Sequence, residues 1–344
     1  MRYYGCKTKL LDHIENIVMS LNLKADSVFF DLFSGTSQVG KHFKNLGFTV
    51  YANDFLEFAH AIAYAYIKIN KEPKFNKLKS VISIEDSEDV VNYLNQIKPK
   101  AGFITKNYSP YNGNNRMYLS VNNAKRVDVI RSQIHEWRKV ELISQEEYYY
   151  LITSLIEAIN LTSNVTGTYA AFLKKWDNRA LKNIVLKKPN IIKSKRINKV
   201  FKEDANSLVN KQKVDVLYLD PPYNSRQFAS NYFLLELIAE GWFEKKPQIY
   251  GYSGMRPYKH QKSKYSIKKE AKKTLEELTE KARAKYIIMS YNDEGIIPLN
   301  EIKEILGRKG NVQIFKKEHK RYRAINQNGE KTKTKENLFL VKTI

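Results

Sequence analysis

The residues best suited to chemistry are the four that directly follow the apolar run 214–219, namely Asp220, Pro221, Pro222 and Tyr223. Each proline has a fixed φ and no N–H, so the turn is stiff and its carbonyls can accept hydrogen bonds. Asp220 adds a carboxylate acceptor and Tyr223 adds an aromatic face. Such a turn can bind an amine that carries two hydrogens while the flat group attached to it stacks on the tyrosine ring. The exocyclic amine of a nucleobase fits this description. An ordinary turn at the end of a strand is the alternative interpretation.

Hydrogen bonding predicts what this turn does to an amine. Bonds from both N–H groups to the Asp220 carboxylate and the Pro221 carbonyl draw the nitrogen lone pair out of ring conjugation and aim it at an electrophile. Stacking of the base on Tyr223 contributes about 1–3 kcal/mol. A free aspartate has a pKa of about 3.9, too low to deprotonate a neutral amine. We therefore interpret Asp220 as orienting the amine, with proton loss following attack.

A glycine-containing turn over residues 31–40, with the sequence DLFSGTSQVG, is the expected site of the electrophile. Ser37 replaces the second glycine of a Gly-x-Gly pair, which argues against a pyrophosphate cradle. Asp54 lies 19 residues after Gly35 at the end of the next predicted strand, where a carboxylate accepts from ribose hydroxyls. A nicotinamide enzyme shares that acid, and a solvated strand-end acid is the other alternative. Asp204 ends a later strand and is a candidate for binding an adenine amino group.

The elements around these residues follow the pattern of a doubly wound sheet. Residues 26–33 and 48–54 are predicted strands that end in acids, and 41–47 and 55–69 are predicted helices. This β-turn-α-β-α order opens a parallel sheet with helices on both faces. Further strands are predicted at 197–201, 214–220 and 286–292, helices at 230–240 and 267–283, and a closing hairpin near 312–341 whose basic tip, around 325–337, is predicted to be mobile.

The stretch between the two sets of strands has a different pattern. A polar loop at 107–123 precedes long helical patterns at 124–140 and 144–163, and a shorter one at 170–176. We therefore predict a catalytic α/β domain from 1–69 and 196–344, with an inserted, mainly helical domain at 70–195.

Charge indicates the class of partner. The 344 residues include 59 Lys/Arg and 36 Asp/Glu, a formal net charge of +23. The excess is zoned: residues 170–202 hold eleven Lys/Arg and one acid, 245–285 thirteen and four, and 308–335 ten and two. Zoned basic charge is typical of a polyanion-binding groove. A generally lysine-rich proteome is the alternative explanation of the net charge.

Composition excludes several other classes. The single cysteine, Cys6, excludes a disulfide scaffold or a cysteine-ligated zinc site and fits a reducing cytosol. The six histidines never fall at ligand spacing, so no metal site is expected. The sequence lacks a run of about 18 apolar residues and a signal-peptide pattern. A cytoplasmic protein without a membrane partner is therefore expected.

Three motifs in this order resemble a known family. RYYGCKTKLL at 2–11, DLFSGTSQVG at 31–40 and the late DPPY at 220–223 resemble the DNA adenine-N6 methyltransferases of restriction–modification systems, specifically the D12 class with alpha motif order. The similarity covers essentially the whole chain. The combination of the tetrad and the N-terminal element is specific, whereas the glycine loop is not, and Ser37 departs from the commoner glycine.

The resemblance implies roles for individual residues. It implies a Rossmann-like sheet that uses S-adenosyl-L-methionine, with an inserted target-recognition domain, and catalysis by Asp220, Pro221, Pro222 and Tyr223. The implied cofactor-binding residues are Tyr3, Gly5, Lys7, Asp31, Phe33, Gly35, Thr36, Asp54 and Asp204.

The implied substrate is duplex DNA from which the target adenine is flipped out. Residues proposed to contact DNA are Asn114, Arg116, Lys174, Lys175 and Arg226, with Asn114 or Arg116 reading bases. An ordinary polar loop is the alternative for 107–123. A separate cognate restriction endonuclease is an implied partner.

Other functions stay open at the level of sequence. The same chemistry on RNA and cytosine-N4 methylation of DNA are alternatives, although serine is commoner than aspartate at position 220 in cytosine-N4 enzymes. A catalytically silent DNA-binding protein is disfavoured by the intact Asp220 and Tyr223, and a nicotinamide dehydrogenase by Ser37 and the double proline.

Overall fold

The computed structural model describes residues 3–24, 26–325 and 331–344, and within them a seven-stranded sheet of order β3-β2-β1-β4-β5-β7-β6. The strands are β1 (Val28–Asp31), β2 (Thr49–Asn53), β3 (Lys199–Phe201), β4 (Lys213–Leu219), β5 (Arg283–Asn292), β6 (Gly310–Ile325) and β7 (Lys331–Thr343). β1 to β5 are parallel, whereas β7 pairs antiparallel with β5 and with β6. The predicted α/β class and Rossmann-like sheet are confirmed.

Helices flank and extend this sheet. They are α1 (Leu11–Met19), α2 (Gln38–Asn45), α3 (Glu57–Ala63), α4 (Asn76–Lys79), α5 (Ser87–Gln96), α6 (Phe103–Tyr108), α7 (Val121–Lys139), α8 (Gln145–Thr162), α9 (Ala205–Leu208), α10 (Phe228–Asn231), α11 (Phe233–Glu240), α12 (Lys268–Lys281) and α13 (Leu299–Gly307). A π-helical turn, Tyr64–Lys68, continues α3, and short 3₁₀ turns lie at Lys7–Leu10, Tyr111–Gly113, Val209–Lys211, Lys259–Gln261 and Lys264–Ser266.

The centre of the sheet is the point where the strand order reverses. β1 lies between β2 and β4, and Phe29 of β1 is in register with Val216 of β4. Both side chains are fully buried, as the near-continuous apolar runs of the two strands predict. In a doubly wound sheet, ligands bind beyond the carboxyl ends of the strands at such a reversal. Asp31 and Asp220 lie at that edge.

The chain divides into two compact units. One contains the sheet and comprises Lys7–Phe55, Arg196–Gln227 and Lys262–Ile344, with a core formed by one face of the sheet against α12 and α13. The other is helical and comprises Met1–Cys6, Leu56–Lys195 and Phe228–Gln261. The helical unit thus includes the predicted insert, 70–195, together with segments that the sequence assigned to the catalytic domain.

One predicted element is wrong. Residues 170–176 form a loop rather than a helix. The buried Asn164 side chain donates to the Leu173 carbonyl at 2.9 Å and accepts from the Asp177 N–H at 2.9 Å. These bonds replace the intrahelical hydrogen bonds that the pattern predicted.

The hairpin at the edge of the sheet was predicted near 312–341, and β6 and β7 form it. Within its predicted mobile tip, residues 326–330 lie outside the described residues. In the part of the chain that the structure describes, no helix is long and apolar enough to cross a membrane. The same residues contain no cluster of three metal-ligating side chains.

Gly310 allows a close approach between β6 and β7. A Cβ there would lie 2.0 Å from the Lys342 carbonyl oxygen, and backbone cannot yield cheaply. We expect Gly310→Ala to destabilise the protein by about 2 kcal/mol and to lower its melting temperature by about 5 °C. Gly307→Ala is the matched control, because its Cβ would meet no atom closer than 4.0 Å. An unchanged melting temperature for Gly310→Ala contradicts the close approach.

Candidate active site

The loop after β1 is fixed by its own backbone. Ser37 N–H donates to the Ser34 carbonyl at 2.6 Å, and the carbonyl of the buried Thr36 accepts from Gln38 Nε2 at 3.2 Å. Gly35 and Ser37 have φ angles of 49° and 55°, a left-handed conformation that favours glycine. Ser37 therefore adopts the backbone conformation that the commoner glycine suits.

Two carboxylates also hold this loop. Gly35 N–H donates to Asp54 Oδ2 at 3.0 Å, and Gly40 N–H donates to Asp31 Oδ2 at 3.2 Å. Burial raises the pKa of Asp31 to about 8, the charges of Asp220 and Asp54 add to the rise, and the Gly40 hydrogen bond opposes it. Three acids thus converge at the carboxyl edge of the sheet.

Lys7 is the cation nearest the catalytic turn. Its Nζ lies 3.2 Å from Asp220 Oδ1 and 2.5 Å from Glu336 Oε1, and its side chain is 6% exposed. Glu336, on β7, also accepts from Ser290 Oγ at 2.7 Å and from Asn292 Nδ2 at 3.5 Å. Burial lowers the pKa of Lys7, but the Asp220 and Glu336 carboxylates raise it well above the ordinary lysine value. Lys7 is therefore a buried ammonium between two carboxylates.

Asp220 titrates near neutrality. Burial raises its pKa to about 7; the Lys7 ammonium opposes the rise and the Glu336 charge adds to it. The carboxylate is still 17% exposed, so it can exchange protons with solvent. Pro221 next to it is buried, and none of the described residues donates a hydrogen bond to its carbonyl. The Pro221 carbonyl therefore has no donor among the described residues, whereas Asp220 is paired with Lys7. Binding of an amine by these two acceptors together stays a prediction.

Tyr223 is held at the edge of the core of the sheet-containing unit. Its carbonyl accepts from Ile296 N–H at 2.9 Å, and its ring lies 5.7 Å from that of Tyr291. Tyr291 is fixed in turn, because its hydroxyl accepts from Ile297 N–H at 3.0 Å. Lys7 Nζ lies 5.3 Å from the centre of the Tyr223 ring. The ring is half-buried, so part of it packs against the core and the rest is accessible to a ligand.

An aromatic pair lies near the predicted adenine-binding acid. The Phe33 and Tyr265 rings meet edge to face at 5.2 Å, and the Tyr265 hydroxyl donates to Asn206 Oδ1 at 2.6 Å. Asp204 caps α9, because its Oδ1 accepts from Ser207 N–H at 3.0 Å. Burial raises the pKa of Tyr265, and the Asp204 charge adds to the rise. Phe33 and Asp204 thus both interact with Tyr265, the first through its ring and the second through its charge.

The predicted N-terminal element divides between the two units. Tyr3 and Gly5 belong to the helical unit and Lys7 to the unit with the sheet. The Tyr3 ring stacks on Tyr232 at 4.6 Å, and Gly5 has a φ of 81°. Their roles at a cofactor stay predictions.

Arg116 has a structural role that the sequence did not indicate. Its guanidinium donates from Nε to the Tyr252 carbonyl at 3.0 Å, from Nη2 to Gly251 at 2.9 Å and from Nη1 to Asn107 at 3.1 Å. Asn114 Oδ1 accepts from Arg116 N–H at 3.0 Å. Through these bonds Arg116 stabilises the turn that contains Gly251 and Tyr252. Base reading by Arg116 or Asn114 stays a prediction.

The three other predicted DNA contacts are Lys174, Lys175 and Arg226, and all three are exposed. Lys174 and Lys175 belong to the helical unit and Arg226 to the unit with the sheet. Their exposure leaves them accessible to a polyanion.

Glu336 is the residue of the site that sequence analysis missed. It lies 329 residues from Lys7 in a segment with no recognised motif, and one acid on a strand gives no signal by itself. Ser290 and Asn292 lie in the segment SYNDEG at 290–295, and polar residues at the end of a predicted strand are the one signal for this part of the site.

The chain is similar in sequence to known DNA methyltransferases. A family model for D12 class N6 adenine-specific DNA methyltransferases matches residues 3–305. The type II methyltransferase M.FokI of Planomicrobium okeanokoites is 42% identical over 328 residues, covering 94% of this chain and 50% of that protein. The modification methylase StsI of Streptococcus sanguinis is 41% identical over 329 residues, covering 95% and 49%.

A third relative has a similar length to the present chain. The type II methyltransferase M.NlaIII of Neisseria lactamica is 34% identical over 326 residues, covering 94% of this chain and 93% of that protein. By contrast, the chain spans about half the length of the first two relatives.

The charges around Asp220 give two opposite expected shifts. Lys7→Met removes the cation that lowers the Asp220 pKa, so that pKa should rise above about 7. Glu336→Gln removes an anion that raises it, so the pKa should fall. The measurement is a ¹³C-carboxyl NMR titration with labelled aspartate, with Asp220→Asn identifying the resonance. Shifts of the same sign in both variants contradict the proposed charge arrangement.

Proposed function

The chain belongs to the D12 class of N6 adenine-specific DNA methyltransferases, and we propose that it transfers a methyl group from S-adenosyl-L-methionine to adenine N6 in duplex DNA. The observation that carries the proposal is the pair of acceptors, the Asp220 carboxylate and the Pro221 carbonyl, at the switch point of the sheet. An exocyclic amine with two hydrogens matches this pair, and Tyr223 supplies a stacking surface beside it.

The residues present fit the cofactor. The hydroxyls of Ser34 and Ser37, in the loop after β1, are buried and have no partner among the described residues, so a ligand can supply one. Burial and the charges of Asp220 and Asp54 raise the pKa of Asp31, and this concentration of carboxylates favours a cationic ligand. S-adenosyl-L-methionine carries a sulfonium and an ammonium. Its adenosine would lie toward Phe33, Asp54 and Asp204.

The residues of the chain position the amine. Bound S-adenosyl-L-methionine supplies an electrophilic methyl group. Asp220 and the Pro221 carbonyl accept the two N6 hydrogen bonds and orient the lone pair, and Tyr223 stacks on the base. Lys7 holds the Asp220 carboxylate in place and favours its charged form, which is the better acceptor. Binding energy is thereby used to orient the reacting atoms.

Proton loss completes the balance. When N6 forms its bond to the methyl carbon, that carbon's bond to the sulfonium sulfur would break, and the electron pair would leave with the sulfur as a neutral thioether. N6 then becomes cationic, and one of its two protons must leave. Asp220, with a pKa of about 7, accepts that proton readily from a cationic amine and passes it to solvent. The environment of Asp220 thus makes it a better base than a free aspartate, while orientation of the neutral amine remains its first role.

The substrate and partners follow from the family and from charge. The target adenine is flipped out of the duplex into the site, and the segment 70–195 serves in target recognition. Exposed lysines and arginines, including Lys174, Lys175 and Arg226, contact the DNA backbone. The relatives carry the names of modification methylases and type II methyltransferases, so we include in the proposal a restriction–modification role in the cytoplasm and a separately acting cognate endonuclease.

Removal of the Asp220 carboxylate tests the proposed function. Asp220→Ala should lower transfer of tritiated methyl groups to DNA at least about 100-fold while cofactor affinity changes only a few-fold. Tyr223→Phe should retain activity, whereas Tyr223→Ala should lose the stack. Asp215→Asn, on the same strand, is the matched control, since Asp215 contacts Val28 N–H and Lys285 instead. Near-native turnover of Asp220→Ala would refute the catalytic role.

Cofactor affinity should depend on pH through Asp31. With a pKa of about 8, Asp31 is mostly protonated at pH 7, and a bound cation favours its charged form. Affinity should therefore rise between about pH 6 and pH 8, with proton release on binding. Calorimetry in buffers of different ionisation enthalpy measures this release. Asp31→Asn should reduce the released protons relative to wild type, and an equal release in both proteins contradicts the assignment.

A further inference from the structure

A tight turn in the helical unit presents an exposed tyrosine. Tyr250 and Met255 exchange two backbone hydrogen bonds of 3.0 Å, and Gly254 N–H donates to the Gly251 carbonyl at 3.2 Å. The Tyr252 side chain at the tip is 68% exposed. A large ring this exposed, in a turn closed by its own backbone, is placed to contact a partner.

Two side chains of the helical unit hold the backbone of this turn. Arg116 binds the carbonyls of Gly251 and Tyr252, and the buried Tyr108 hydroxyl donates to the Gly254 carbonyl at 2.8 Å. A Cβ at Gly254 would lie 2.7 Å from Arg116 Nε, so glycine permits this approach. A fixed backbone under an exposed ring lowers the entropy lost when the ring binds.

Basic residues lie close in sequence to the stacking partner of the ring. Tyr252 stacks on Phe172 with ring centres 5.3 Å apart and planes inclined by 29°. Phe172 lies in the loop that Asn164 fixes through Leu173, and the exposed Lys174 and Lys175 follow Leu173 in sequence. The two lysines therefore lie in the same loop as Phe172, which forms the aromatic pair with Tyr252.

The segments that build this surface carry little negative charge. Residues 103–126, 164–183 and 245–261 contain twelve Lys/Arg and one acid, Asp177. Asp177 is paired with Arg179 at 3.1 Å. An exposed aromatic ring among lysines fits a partner that offers phosphates and flat bases together.

We propose that the Tyr250–Met255 turn, with Phe172, Lys174 and Lys175, is a contact surface for duplex DNA. The Tyr252 ring stacks on a base at an opened step, and the two lysines neutralise phosphates. The inference rests on the proposed function, since DNA is the substrate there. It extends DNA recognition beyond 70–195 to a segment that follows the catalytic turn in sequence.

The first test removes the ring. Tyr252→Ala should raise the dissociation constant for duplex DNA, measured by fluorescence anisotropy with the full chain, and the KM for DNA in methyl transfer about tenfold. Tyr252→Phe should stay near wild type. Unchanged cofactor affinity shows that each variant is folded.

The second test removes the charges. The double variant Lys174→Gln, Lys175→Gln should reduce the slope of log affinity against log salt by about 0.9 for each lost phosphate contact. Lys24→Gln with Lys303→Gln is the control, since both lysines are exposed and lie outside 70–195 and outside the three segments. An unchanged slope for the first pair overturns the phosphate contacts.

The outcomes separate the surface from the proposed function. If wild type methylates DNA but Tyr252→Ala keeps wild-type affinity and KM, the surface is wrong and the function stands. If wild type transfers no methyl group but Tyr252→Ala loses DNA binding, the function is wrong and the surface stands. Loss of affinity for structured RNA with unchanged affinity for duplex DNA overturns the surface as proposed.

Discussion

The active site depends on one buried ammonium, that of Lys7, between the carboxylates of Asp220 and Glu336. A charge taken out of water is costly unless partners surround it closely. Lys7 Nζ has both carboxylates within 3.2 Å, and Glu336 is secured by Ser290. The same contacts join the start of the chain, the end of β4 and the hairpin strand β7. The turn 220–223 is therefore oriented by three segments that are far apart in sequence.

The same edge of the sheet concentrates negative charge. Parallel strands that end at one edge bring Asp31 and Asp220 near Asp54, and burial removes the water that would screen them. Burial raises the pKa of Asp31 to about 8, and the Asp220 and Asp54 charges add to that rise. Burial likewise raises the pKa of Asp220 to about 7, where the Glu336 charge adds to the rise. Such a site favours a cation and can accept a proton at neutral pH. Cofactor choice and proton handling thus have a common electrostatic origin.

The helical unit follows a different physical rule. In its proposed contact surface, Arg116 and Tyr108 donate hydrogen bonds to carbonyls of the Tyr250–Met255 turn and so hold the backbone of the turn. The side chain of Tyr252 takes no part in these bonds and is left exposed. A guanidinium with several donors suits that task better than a point charge would. Arg116 shows that a basic residue near a predicted DNA surface can serve the protein backbone, while neighbouring exposed lysines remain accessible to phosphates.

The sequence by itself determined the β-turn-α-β-α order that opens the parallel sheet and the acids at strand ends, and it predicted the acceptor pair of Asp220 and Pro221. Local periodicity and fixed proline geometry are properties of consecutive residues, which explains this success. Only the tertiary structure decided that Lys7 pairs with Glu336, that Asp220 titrates near neutrality, that residues 170–176 are not helical and that Arg116 is a brace. These depend on burial and on distances between residues far apart in the chain, which no local pattern records.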